Sequence, residues 1–504
     1  MNKFIKNFNL FLNSDKMNKS SNWSSIKTFL LAMIGLTIGI GNIWRFSYVF
    51  YTNGGGSFFI PYIIAIIVMG IPFLILEYGL GFKYRESFSK LLYDINPKFE
   101  TIAWMLVLFV FIVVIYYMVI LSWDLVYLLN SFTFGWGSDP SAFFTANVGG
   151  SSNLSGISSI ILPTFICTII LWAAFWFVSN RDVDKGIGRV SRILMPLLFI
   201  IMSFILIYSF TLPGFELGLT TLLNPNWAML FDINVWLAAF AQILFSLSIG
   251  QAMVYTYASY LSEKTRLIDD VFMVVVANCI YEIFVAIGIF SILGYMSIAS
   301  SIPMTELISD GTSLIFIVLP EVFEVMGPIG RIIAPLLLLS ILFAGFTSSL
   351  ALFEPLLSSI CEKFNWSRKK GVTILTIIAC LGSLLFSTGI SCYLVEIVDT
   401  FVNEFGILIL IAAQAIIFTW YYDVDEIIPV LNENSAITVG KKWKFTLKYI
   451  LPLMLNVMWI IGVVEIIYNA DPFKVGIYLL ITFIVVILSI FLTKAHARKA
   501  EDTV

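Results

Sequence analysis

An apolar segment from Ser24 to Tyr51 carries Gly35, Gly39 and Gly41 at its centre, followed at once by Asn42 and Arg45. A helix here is built to break. Three glycines within seven residues weaken helical pairing, and in hydrocarbon an unpaired amide or carbonyl costs several kcal/mol unless protein or a water-filled cavity receives it. Backbone freed at that depth points to a ligand site, and intramembrane Asn and Arg side chains are expensive enough to be read as functional. A glycine-rich packing face is the plainer alternative for this segment taken alone.

The surroundings are hydrocarbon, because 59% of the 504 residues are hydrophobic and only 12% are charged. That composition belongs to a polytopic membrane protein. Apolar runs long enough to cross ~30 Å of bilayer core fall at 24–51, 58–82, 103–129, 157–178, 191–212, 236–261, 270–296, 328–360, 371–389, 393–421, 446–468 and 475–493. They predict twelve transmembrane helices.

Lysine and arginine crowd alternate connections: Lys3 to Lys19 before the first helix, Lys83 to Lys90, Arg181 to Arg192, Lys264 and Arg266, Lys363 to Lys370, Lys441 to Lys444, and Lys494 to Lys499 after the last. The opposite loops 130–156 and 213–234 have none. Positive charge stays on the cytoplasmic face, so both termini are expected there, in the cell membrane, which requires an even helix count. The net charge of −3 gives no reason to expect a nucleic-acid partner. Five scattered cysteines imply neither a disulfide framework nor a metal site. The single histidine, His496, lies in the charged tail and offers no catalytic base, so an enzyme is not expected. Asn153-Leu154-Ser155 is a glycosylation sequon in an outer loop.

A second interrupted helix is visible in the sixth segment, where Ser246, Ser248, Gly250 and Gln251 stand mid-run. It lies five helices after the first, so a second five-helix unit would enter the membrane from the opposite side. The expected fold is an all-α polytopic membrane protein, a five-plus-five inverted repeat with helices one and six broken at the midplane, plus two extra helices. Paired breaks of this kind point to a transporter's binding site. The expected divisions are a cytoplasmic segment 1–23, a first repeat 24–212, an outer loop 213–235, a second repeat 236–422, a linker with helices eleven and twelve 423–494, and a tail 495–504.

From about Trp23 to Ala495 the chain resembles the neurotransmitter:sodium symporters, in particular their prokaryotic amino-acid transporters. The resemblance rests on Gly39-Ile-Gly-Asn-Ile-Trp-Arg-Phe46, Asn53-Gly-Gly-Gly-Ser-Phe-Phe-Ile-Pro-Tyr62, Gly70-Ile-Pro72 with Glu77, Ile115-Tyr-Tyr117 with Ser122-Trp123, and Ala344-Gly-Phe-Thr-Ser-Ser349. It implies sodium-coupled symport of a neutral amino acid by alternating access. A non-transporting sensor or scaffold, or a symporter for another small carboxylate-bearing solute, is the alternative.

The resemblance further implies two sodium sites. The first would use the Thr37 carbonyl, Asn42, Ser246, Asn278 and the substrate carboxylate. The second would use carbonyls of Gly35, Ile38 and Ala344 with the hydroxyls of Thr347 and Ser348. The carboxylate would meet the amides of Ile40 and Gly41 and the Tyr117 hydroxyl. Val113, Phe245, Ser248, Gln251, Ser348 and Leu352 would line the side-chain pocket. Gly39 replaces the aspartate of amine transporters, which favours an amino acid bearing its own carboxylate. Gln251 replaces a large apolar residue, either to bond a polar substrate group or to satisfy unwound backbone.

By the same resemblance Arg45 and Asp399 would form an outer gate. Trp23, Tyr260 and Glu362 would form an inner gate, with Lys19 in place of the family's arginine because position 20 is Ser20. Glu77 would brace the unwound part of helix six. Glu282 stands where chloride-independent relatives carry a carboxylate, so no chloride requirement is expected. Gly186 and Pro196 reproduce a spacing by which helix five can unwind. Helices eleven and twelve fall outside the repeat and are expected to serve packing or a homodimer.

Overall fold

The computed structural model describes residues 22–152, 154–261, 265–309 and 311–495. Lys19, Ser20, Asn153 of the sequon, Lys264 and His496 lie outside them. Among the described residues the chain is all helical, with one isolated bridge between Ile160 and Thr388. Backbone that crosses hydrocarbon must satisfy its amides and carbonyls internally, and a helix does so within one segment.

In chain order the principal helices are α1 (Ile26–Thr37), α2 (Ile40–Thr52), α3 (Gly55–Tyr84), α4 (Pro97–Ser131), α5 (Leu162–Ser179), α6 (Asp184–Ser209) and α7 (Ile233–Ser246). There follow α8 (Met253–Ser259), α9 (Leu267–Ser300), α10 (Gly327–Lys363), α11 (Arg368–Leu385), α12 (Ser391–Tyr421), α13 (Lys441–Tyr468) and α14 (Pro472–Lys494). Their starts follow ordinary capping chemistry: the Ser25 hydroxyl accepts the Thr28 amide at 3.2 Å, and Asp471 accepts the Phe473 and Lys474 amides at 2.9 Å.

Among the described residues nine helices are long and apolar enough to cross a membrane, and the pair α1 and α2, bent by 52° at Ile38 and Gly39, makes up to ten. This is a polytopic membrane protein. The other two expected segments are helical but fall short of that standard for visible reasons. The sixth is cut into α7 and α8, fourteen and seven residues long. The ninth, α11, has eighteen residues but opens on Arg368, Lys369 and Lys370.

Burial sorts the helices. Over their most apolar stretch α4 is 78% and α10 72% buried by protein, against 28% for α13 and 22% for α14. The first two form the centre against which the broken helices lean, and the last two present their apolar faces outward.

Candidate functional site

Between α1 and α2 only Ile38 and Gly39 leave the helix, both in extended conformations. The last carbonyls of α1 lose their helical partners there, and α10 receives them. The Ser348 hydroxyl lies 3.1 Å from the carbonyls of both Gly35 and Ile38 and 3.5 Å from that of Leu36. One residue earlier, the Thr347 hydroxyl lies 3.0 Å from the Phe343 and Ala344 carbonyls. Thr37 is the final residue of α1, its hydroxyl turned back to the Ile34 carbonyl at 3.2 Å.

On the other side of the break the Ile40 amide donates to the Tyr117 hydroxyl of α4 at 3.1 Å. Gly39 is held so closely that a β-carbon there would stand 3.1 Å from the Tyr117 hydroxyl and 3.2 Å from that of Ser348. A β-carbon on Gly41 would meet nothing within 4 Å. The break is thus packed at Gly39 and open at Gly41.

Asn42 fastens the start of α2. Its Oδ1 accepts the Gly39 amide at 2.9 Å, and its Nδ2 donates to Asn278 Oδ1 at 2.9 Å and to Ser246 Oγ and Glu282 Oε1 at 3.2 Å. Asn278 and Glu282, one turn apart on α9, also reach Ser246 (2.6 Å) and Gln242 (2.8 Å) of α7 respectively, and the Tyr62 hydroxyl of α3 donates to Glu282. These side chains are all buried. Oxygens from four helices, α2, α3, α7 and α9, therefore gather beside the break.

The interruption between α7 and α8 is longer, residues 247–252, and more strained. Ser248, Gly250 and Ala252 adopt φ of +53°, +70° and +61°, a region that costs a residue bearing a β-carbon about 1–3 kcal/mol. Its central residue, Gly250, is held through both of its backbone groups. Glu77 accepts the Gly250 amide at 3.1 Å, and Gln414 of α12 donates to the Gly250 carbonyl at 2.7 Å.

A sequence model of the sodium:neurotransmitter symporter family matches residues 20–158 and 137–496, nearly the whole of the chain. The chain belongs to that family. Its members are transporters, not enzymes. An uncharacterized sodium-dependent transporter of Methanocaldococcus jannaschii is 34% identical over 438 residues, covering 86% of this chain and 88% of that protein. A sodium-dependent dopamine transporter of Caenorhabditis elegans is 26% identical over 495 residues, covering 86% and 78%.

The remaining expected residues of this transporter are distributed unevenly. Val113 lies one turn before Tyr117 on α4 and Leu352 one turn after Ser348 on α10, both buried. Phe245 is half-buried, with the Arg45 guanidinium 4.9 Å above its ring. Arg45 does not pair with Asp399. The Asp399 carboxylate is exposed and accepts hydrogen bonds from Tyr116 (2.6 Å) and Asn403 (2.9 Å). Asp399 is thus held by Tyr116 and Asn403, and Arg45 rests on the Phe245 ring.

Of the expected inner gate, Trp23 and Tyr260 meet, while Lys19, the cation expected there, lies outside the described residues. Trp23 is buried, with its indole nitrogen 2.9 Å from the Tyr257 carbonyl and its amide 3.2 Å from that of Tyr260. Glu362 does not join them: it is exposed and accepts the Ser87 amide at 2.6 Å, at the start of the short helix Phe88–Ile95. The acid that reaches Tyr260 stands two turns earlier on α10: Glu354, which is 1% exposed. Glu354 accepts from the Tyr260 hydroxyl at 3.3 Å and binds Arg368 through both guanidinium nitrogens. An acid inside an apolar run was the available signal for Glu354. The same signal marks Asp124, fully buried in α4 with neither carboxyl oxygen hydrogen-bonded among the described residues. Gly186 sits in a wound π-helical turn, Asp184–Gly188, that extends α6.

Proposed function

We propose that this transporter couples sodium entry to uptake of a neutral amino acid across the cell membrane by alternating access. The observation that carries the reading is the convergence of side-chain oxygens on the break between α1 and α2. Sodium prefers neutral or anionic oxygens, and a half-turn of the Asn42 amide would add its own oxygen to those of Ser246 and Asn278, beside the Thr37 carbonyl. The substrate carboxylate would complete that first site, coupling ion to solute. The second site would use the carbonyls of Gly35, Ile38 and Ala344 with the hydroxyls of Thr347 and Ser348. Glu282, hydrogen-bonded to Asn42, places a carboxyl group there, which is the argument for chloride independence.

The amides of Ile40 and Gly41 at the start of α2, with Tyr117 alongside, suit a carboxylate. The open space at Gly41 leaves room for it. Joining α7 with α8 and adding α11 to the ten candidate spans gives twelve, with 24–212 and 236–422 as inverted repeats and both termini cytoplasmic by the charge pattern. The exposed Asp399, unpaired Arg45 and buried Trp23 and Tyr260 then describe a state open outward and sealed inward. The outward faces of α13 and α14 suit lipid or a second copy. Two sodium ions entering down ~100 mV would release ~4.6 kcal/mol, about 2.3 kcal/mol each.

Thermal stabilisation of the purified protein by each of the twenty amino acids, in sodium and in matched potassium buffer, tests this reading, since a ligand of the native state raises stability by mass action. A shift confined to sodium and to neutral amino acids is expected. No shift with any amino acid would remove the substrate assignment.

A further inference from the structure

The amides around the two breaks are engaged, with one exception. Asn42, Gln242, Asn278 and Gln414 each donate a hydrogen bond to protein. Gln251, in the interruption between α7 and α8, makes no side-chain hydrogen bond among the described residues, and neither does Ser248 three residues before it. Both are nearly buried, at 6% and 8% exposure. Their polar atoms nevertheless reach accessible space, whereas the free Oε1 oxygens of Gln242 and Gln414 are sealed inside protein. Gln251 therefore does not serve the unwound backbone, where Glu77 and Gln414 hold the amide and the carbonyl of Gly250.

We infer that Ser248 and Gln251 read the substrate side chain, and that the substrate is a neutral amino acid whose side chain itself forms hydrogen bonds, a carboxamide or a hydroxyl, and not an aliphatic one. This rests on the amino-acid reading above. An aliphatic side chain closing the space would leave two polar groups dry and unpaired, the circumstance in which a site rejects a ligand most strongly. A cationic side chain could not reach the free Oε1 of the adjacent Glu77, which is sealed inside protein.

The test titrates glutamine, asparagine, threonine, serine, leucine, methionine and valine against the full-length protein in sodium, reading thermal stabilisation, for the wild type, Gln251→Met and Ser248→Ala. In the wild type the best polar amino acid is expected to half-saturate at a concentration ~10-fold or more below the best aliphatic one. Gln251→Met should reverse that order while leaving the response to sodium intact. A loss confined to Gln251→Met places the contact on Gln251, one confined to Ser248→Ala places it on Ser248, and the preferred ligand of the wild type tells a carboxamide from a hydroxyl. Wild-type preference for leucine, methionine or valine, or an order unchanged in both variants, would overturn the inference while leaving the amino-acid reading standing. Absence of any amino-acid response in the folded wild type would remove both.

Discussion

The two interruptions solve the same physical problem in opposite ways. Between α1 and α2 two residues leave the helix, in extended conformations open to any residue, and side chains of α4, α10 and α2 itself bind the freed groups. Between α7 and α8 six residues leave it, three of them left-handed, and Glu77 and Gln414 grip one residue, Gly250, by its amide and its carbonyl. The short break concentrates oxygens at fixed positions, as an ion requires. The long one leaves two polar side chains unengaged, as a variable ligand requires.

Asn42→Ala should show the largest effect. It strips the short break of its fastening and leaves Ser246, Asn278, Glu282 and the Gly39 amide short of a partner, each buried group costing about 1–3 kcal/mol. Sodium-dependent stabilisation is expected to vanish and sodium-driven uptake to fall by ~100-fold or more. Retained sodium response would show that the convergence of oxygens is only structural.

Next comes Gly250→Ala in the long break, where the new β-carbon would sit 2.6 Å from Ile411 at a φ of +70°. A loss of about 2–4 kcal/mol in a denaturation or melting series is expected. Ser348→Ala removes the hydroxyl that ties the Gly35 and Ile38 carbonyls to α10 and should raise the half-saturating sodium concentration by ~10-fold, with about 1–2 kcal/mol of stability lost. The smallest change in stability belongs to Gly41→Ala, which meets open space and exchanges glycine for a better helix former by up to ~1 kcal/mol. Its melting point should hold or rise while substrate affinity weakens, and a destabilised Gly41→Ala would deny the open space at the short break.

The helices were legible because apolar length is written in the sequence. Every expected segment is helical, and the errors sit at the ends. α6 begins seven residues early because Asp184–Gly188, which reads as a loop, winds into a π-helical turn. α13 absorbs the lysines 441–444 for the same kind of reason. The breaks were legible from glycine spacing and misplaced polar residues. Partners were less so, since Tyr62, Gln242 and Gln414 meet the site across packing that no local pattern encodes. The preference for Glu362 over Glu354 came from the resemblance, while the intramembrane position of Glu354 pointed the other way. The outer pair is a different case: Arg45 and Asp399 are both present without an ion pair between them, because Tyr116 and Asn403 hold the carboxylate and Phe245 faces the guanidinium.

The most direct measurement is uptake of labelled amino acids into proteoliposomes carrying the wild type or Asn42→Ala, with an inward gradient of sodium or of potassium. Accumulation driven by sodium alone, abolished by collapsing the gradient and absent in Asn42→Ala, is the expected result. Equal uptake in sodium and potassium, or full activity of Asn42→Ala, would contradict an ion-coupled site at the two breaks.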